Sequence, residues 1–203
     1  MGMSKLKQVS LEIKLSKLLK SSKRDASLEQ YETPADVAAM VLYRAFMDGC
    51  IEGKVVADIG CGNGIFAVGG ALLGAKRVYA LDKDPAAIQV AKENSTALGL
   101  DIEFINSDVS EFNIDVDTII MNPPFGSQRR NADIPFIEKA LEFSKDFYIL
   151  LNYKAGDFLE RIIGGKGEIS WEEKVDIPLL HSYDFHRKEM KMIGVRVAKV
   201  KVW

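Results

Sequence analysis

The sequence predicts an α/β fold built on a mostly parallel, seven-stranded sheet with an antiparallel C-terminal strand. Three observations carry that expectation. Between Lys54 and Leu151, short apolar runs alternate with helix-like segments at the spacing of strand–helix–strand units. From Glu168 onward the pattern changes to apolar–polar alternation, in Lys174–Ile177 and Met192–Val202, as a terminal antiparallel pair gives. Between these regions, the apolar run Thr118–Met121 ends abruptly in Asn122-Pro123-Pro124-Phe125. Neither proline has an N–H and each fixes φ near −65°, so no ladder continues past this point.

The elements follow in order. Lys5 to Lys23 sets Leu11, Leu15, Leu18 and Leu19 at helical spacing with lysines between them, the pattern of an amphipathic basic helix. Residues 1–27 therefore form a basic appendage, packed on or extending from a domain of residues 28–203. Thr33 as N-cap and Pro34 at the first helical position start a helix through Val37, Met40, Val41 and Phe46. Lys54–Ile59, Arg77–Asp82, Ile102–Asn106, Val116–Met121 and Phe147–Leu151 read as buried strands. Ile65–Leu73, Pro85–Leu98 and Ile134–Phe143 read as the helices between them. Alternation of this kind calls for a sheet covered on both faces.

Composition narrows the class. With 203 residues the chain can bury a sizeable core, and no apolar run reaches the roughly 18–20 residues of a membrane span. Cys50 and Cys61 are the only cysteines and lack metal-site spacing, so a reducing cytoplasm is the expected compartment. Residues 1–30 carry seven Lys/Arg against three Asp/Glu, and residues 181–203 six against two, which leaves the middle at about −10. Basic ends on an acidic centre suit an anionic partner touched by both ends; the alternative is ordinary solvated faces.

The motifs cluster at strand ends. Asp58-Ile59-Gly60-Cys61-Gly62-Asn63-Gly64 lies at the first strand–helix junction, where open parallel sheets bind ligands. The dinucleotide fingerprint wants its third glycine one position later, where this chain has Ile65. That mismatch favours a nucleoside with an amino-acid tail over a pyrophosphate. Asp82 ends the second strand, placed to accept from ribose hydroxyls; alone it suits NAD or S-adenosylmethionine equally. Asp108, after the third strand, can accept from an adenine amino group while Val109 supplies a backbone N–H. Taken in register, and followed by Asn122-Pro123-Pro124-Phe125, the set points to S-adenosylmethionine.

These segments resemble an amino-group methyltransferase of the Asn/Asp-Pro-Pro-aromatic class, with a Rossmann-like class I methyltransferase fold. The likeness extends to the small archaeal and eukaryotic RNA N6-adenine methyltransferases that modify small-subunit rRNA. It is carried by Leu28-Glu29-Gln30-Tyr31-x-Thr33, by Val55–Gly64, by Ile120–Gly126 and by Tyr183-x-Phe185-His186-x-Lys188. The resemblance implies that Gln30 and Thr33 touch the methionine end of the cofactor, with Gly60, Asn63, Ile65, Asp82, Asp108 and Val109 around the rest; Asp58, Gly62, Gly64 and Asn122 complete the expected cofactor-binding set. It also implies a small zinc-containing activator subunit as a partner. Two departures stand out: Glu32 occupies a family proline position, and Leu151-Asn152-Tyr153-Lys154 replaces a histidine–lysine pair of eukaryotic members.

The chemistry expected of the corner is amine orientation. The Asn122 side-chain oxygen and the Pro123 carbonyl would accept both protons of an adenine N6 amine, and Phe125 would stack on the base. A rigid turn after a core strand is the bland alternative. Glutamine-amide methylation in a protein, guanine N2 methylation of rRNA, and a non-enzymatic cofactor-binding scaffold are the other readings. RNA contacts are expected at Lys14, Lys17, Lys20, His186, Arg187, Lys188 and Lys191, against packing or plain surface.

Overall fold

The computed structural model describes residues 2–20, 33–124, 131–153, 157–180 and 190–203; Gln30, Phe125, His186, Arg187 and Lys188 lie outside these described residues. Elements are numbered in chain order: α1 (Gly2–Leu15), α2 (Ala35–Met47), β1 (Val55–Ile59), α3 (Ile65–Leu72), β2 (Arg77–Asp82), α4 (Pro85–Ala97) and β3 (Glu103–Asn106). There follow β4 (Thr118–Met121), α5 (Ile134–Phe143), β5 (Asp146–Asn152), α6 (Phe158–Ile163), β6 (Gly167–Leu180) and β7 (Met190–Val202). The strands form one seven-stranded sheet in the order β3-β2-β1-β4-β5-β7-β6. The pairs among β1 to β5 are parallel, while β7 runs antiparallel to both β5 and β6.

Period-two alternation sends side chains into two cores, one on each sheet face. Val56, Ile120, Tyr148 and Val197 face α1 to α4, and Ala57, Ile119, Phe147 and Ala198 face α5 and α6. The small residues of α3 have a packing reason: a Cβ on Gly69 would sit 2.1 Å from Leu42 Cδ1 of α2. Only glycine lets these two helices approach so closely.

Three boundaries differ from the sequence reading. The first helix ends at Leu15 instead of running to Lys23, and Leu11, Leu15 and Leu18 are buried where it lies against α2 and α3. Thr33 does not cap α2; Pro34 occupies the N-cap position, with no side-chain cap bond among the described residues. The terminal hairpin is longer than its alternation suggested, pairing from Gly167↔Val202 to Leu180↔Met190. Because β5 pairs with β7 only as far as Asn152↔Val195, the hairpin runs on past the carboxyl end of β5.

Candidate active site at the carboxyl ends of the strands

Register places the expected residues side by side. Ile59 pairs with Leu81, Asp82 with Asn106, and Asp58 with Ile120, so the segments after β1, β2, β3 and β4 leave the sheet at one edge. Strand order reverses between β1 and β4, and a crevice opens at such a point in a parallel sheet.

The glycine loop is wrapped onto the end of β2. Gly60 and Cys61 N–H groups both donate to the Leu81 carbonyl, at 2.7 and 2.9 Å, and Gly62 N–H donates to Asp82 Oδ2 at 2.9 Å. Gly60, Gly62 and Gly64 have φ of 76°, 55° and 81°, in the left-handed region that side chains resist. Their surroundings differ. A Cβ on Gly60 would lie 2.9 Å from Phe136 Cε1 and one on Gly64 3.0 Å from Ala91 Cβ, whereas one on Gly62 meets nothing within 4 Å. Gly60 and Gly64 are thus held by packing, and the backbone at Gly62 is open to approach.

Two carboxylates flank this loop. Asp58 is 1% exposed; its Oδ2 accepts from Ala67 N–H in the first turn of α3 at 2.9 Å, and its buried Oδ1 has no hydrogen-bond partner among the described residues. Burial, reinforced by the nearby charge of Asp82, pushes the Asp58 carboxyl up to about 8. Asp82 accepts from Gly62 and Asp84 N–H groups, and burial holds its pKa above the ordinary range despite those bonds. Among the described residues neither acid forms an ion pair.

Asp108 caps the 3-10 turn Val109–Glu111, its Oδ1 accepting from Ser110 N–H at 3.0 Å and Ser110 Oγ at 2.8 Å. The cap fixes the carboxylate at the end of β3, while the Val109 side chain packs inward. Ile65, at the start of α3, is buried.

At the end of β4, Asn122 is half-buried and followed by buried Pro123. Asn122 Nδ2 donates to Thr33 Oγ1 at 3.0 Å, across 89 residues of sequence. That bond explains why Thr33 does not cap its helix: its hydroxyl serves the corner after β4. It also sets the rotation of the amide, with the nitrogen toward Thr33 and the oxygen buried.

The basic residues are less concentrated. Lys14, Lys17 and Lys20 are exposed near the end of α1, and Lys191 lies on β7 with its side chain outside the description. One polar residue escaped the sequence reading. Asn94 of α4 is 2% exposed and bonds both the glycine loop and the segment after α1. Its signal was periodicity, since Ala87, Ile88, Ala91, Asn94 and Ser95 form the buried stripe of that helix.

Comparison with known proteins agrees with this architecture. The model of the methyltransferase small domain family matches residues 32–146. An uncharacterized protein of Methanocaldococcus jannaschii is 35% identical over 97% of this chain and 94% of its own length. The rRNA N(6)-adenosine-methyltransferase METTL5 of Danio rerio is 33% identical over 84% of this chain and 86% of its own. Among solved structures, a candidate RNA methyltransferase from Pyrococcus horikoshii superposes with a TM-score of 0.90 at 38% identity, covering 96% of this chain and 97% of that one. With the seven-stranded Rossmann-like sheet and the ring of strand-end residues, this chain belongs to the methyltransferase small domain family, among its METTL5-like members.

Proposed function

We propose that this protein transfers a methyl group from S-adenosylmethionine to the exocyclic N6 amine of an adenosine in structured RNA, with ribosomal RNA as the expected substrate. The observation that carries the reading is the Thr33–Asn122 bond, which ties the residue before α2 to the corner after β4 and fixes the Asn122 amide beside the strand ends. The cofactor assignment draws on the acids. Asp82 is an acceptor for hydroxyl donors, the orphaned Asp58 Oδ1 suits a site that takes up positive charge, and Gly62 permits close approach. When bound, S-adenosylmethionine supplies an electrophilic methyl group on a sulfonium.

The residues of this chain then have to orient a poor nucleophile. The N6 lone pair of adenine is delocalised into the ring. Bonds from the amine to Asn122 Oδ1 and to the Pro123 carbonyl draw its protons toward fixed acceptors and expose the lone pair. The same oxygens stabilise the positive charge that builds on nitrogen, so positioning and electrostatics supply the rate without a tuned general base. Phe125 is assigned to stacking on the base. RNA loops offer unpaired bases, which removes much of the cost of extracting one from a duplex. The METTL5 relatives, described as rRNA N6-adenosine methyltransferases, support the same substrate. Lys14, Lys17 and Lys20, exposed at the end of α1, are assigned to the RNA backbone.

Labelled cofactor, presented with ribosomal RNA and with ribosomal protein, tests the reading. Label in N6-methyladenosine supports it; label in protein alone overturns it in favour of a glutamine amide. Asn122→Ala is expected to lose about 100-fold or more in turnover, by analogy with loss of one oxyanion-hole donor, while cofactor binding persists. Retained turnover would leave only the scaffold reading. Replacing Lys14, Lys17 and Lys20 by Gln should flatten the salt dependence of RNA binding, and an unchanged slope would return them to ordinary surface.

A further inference from the structure

Three parts of the chain meet at Asn94. Its Oδ1 accepts from Leu19 N–H at 2.7 Å, and its Nδ2 donates to the Leu19 carbonyl at 3.1 Å and to the Asn63 carbonyl at 2.9 Å. Asn63 Nδ2 returns a 3.3 Å bond to the same Leu19 carbonyl. The side chain of Asn94 thus pairs with both backbone groups of Leu19 as a neighbouring strand would, and spends its second N–H on the glycine loop. Asn94 itself is 2% exposed, so water cannot take over these bonds without rearrangement.

We infer that Asn94 is a positioning residue for the cofactor, holding the glycine loop in its binding shape and making the segment after α1 part of that support. The loop needs such a brace. Gly60, Gly62 and Gly64 give it freedom that must be lost when a ligand orders it, and a loop ordered in advance spares that cost. Gly60 and Gly64 are fixed by the close approach of Phe136 and Ala91, but Gly62 meets no such contact. Its neighbour Asn63 is held by Asn94 and Leu19 instead. Leu19 follows buried Leu15 and Leu18, which join the end of α1 and the turn after it to the core. The basic helix is therefore tied mechanically to the loop that the proposed function assigns to S-adenosylmethionine, and the inference rests on that assignment.

The test measures cofactor binding, with S-adenosylmethionine and S-adenosylhomocysteine, by calorimetry on the full chain. Asn94→Ala and Asn94→Asp, the latter keeping size and the acceptor but losing both donors, are expected to raise Kd about 10-fold. Amide exchange at Gly62–Gly64 should accelerate in the ligand-free protein, and kcat at saturating cofactor should stay within about 2-fold. Leu11→Ala loosens α1 without touching the clasp and should lower stability while leaving Kd within about 2-fold. A Kd unchanged in both Asn94 variants, or one that merely follows stability across Asn94→Ala and Leu11→Ala, overturns the inference. Should Asn94→Ala not fold, Asn94→Asp and Asn94→Ser decide by the same criterion. Wild-type protein that binds neither ligand would sink the cofactor assignment itself, a separate outcome.

Discussion

At the amino ends of the strands, carboxylates are surrounded by cations and hydroxyls; at the carboxyl ends Asp58 and Asp82 accept from backbone N–H groups. Asp48 ends α2, where the helix dipole disfavours a negative charge. It is bonded by Arg44 Nε at 3.1 Å, Tyr148 Oη at 2.7 Å and Lys199 Nζ at 3.3 Å. Burial alone raises its pKa, but the bonds from Tyr148, Arg44 and Lys199 carry it below the ordinary range. Asp117, bonded to Lys145 and to Val55 N–H, is lowered too. Asp58 and Asp82, at the other end, are both raised, chiefly by burial. One end has satisfied its charges internally; the other keeps two buried acids with raised pKa values and no ion pair among the described residues, which suits the proposed cofactor site.

The sharpest way to break this contrast is to delete the hub of the paired end. Asp48→Ala leaves Lys199 and Arg44 with less compensation and the buried Tyr148 hydroxyl without its acceptor. A loss of about 3 kcal/mol is expected, from the cost of stranding buried partners, read as a urea midpoint. Cofactor affinity should not change. A variant that kept its stability would mean that the network is surface decoration.

A second effect is one of pH. Native Asp58 holds its proton up to about pH 8, whereas the unfolded group ionises near 3.8. The native state therefore binds the extra proton between these values. Its contribution to stability is complete below about pH 4, drains as pH rises and is gone above about 8, with a slope of at most about 1.4 kcal/mol per pH unit. Asp58→Asn should erase that slope, so wild type loses ground to the variant between pH 5 and 8 in urea titrations. Parallel curves would mean that the acid is ionised in the fold. At pH 8 the same variant should weaken S-adenosylmethionine binding about 10-fold, since each pKa unit of differential interaction is a factor of ten.

Much of this contrast was legible in the sequence, and what was missed has physical reasons. Strand-end acids announced themselves because an apolar run that stops at an acid marks where a strand leaves the core, and Arg77–Asp82 and Ile134–Phe143 were read to the residue. The helix α6 was missed because six residues between Asp157 and Gly164 hold too little periodicity to register. The start of β6 was hidden by the register shift between Ile169 and Trp171, which breaks strict alternation. Thr33 read as a cap because local sequence offers no sign of a partner 89 residues away. The paired end was opaque for the same reason, since Asp48, Tyr148 and Lys199 converge only through the fold.

The finest comparison removes one oxygen from each end. Tyr148→Phe deletes a bond to Asp48 that Arg44 and Lys199 still neutralise, so about 1 kcal/mol of stability should go, the usual net value of one hydrogen bond. Turnover should not move, because nothing in that network reaches the strand ends where the chemistry is proposed. Thr33→Val deletes an oxygen of similar cost to the fold, but it removes the bond that orients the Asn122 amide at the proposed acceptor corner. An amide held less firmly offers the proposed acceptor less often. Turnover is expected to fall about 10-fold, a loss of roughly 1.4 kcal/mol of transition-state stabilisation, with cofactor affinity nearly kept. If both variants lost stability equally and turnover equally, the two ends would share one role and the division between paired and waiting acids would fail.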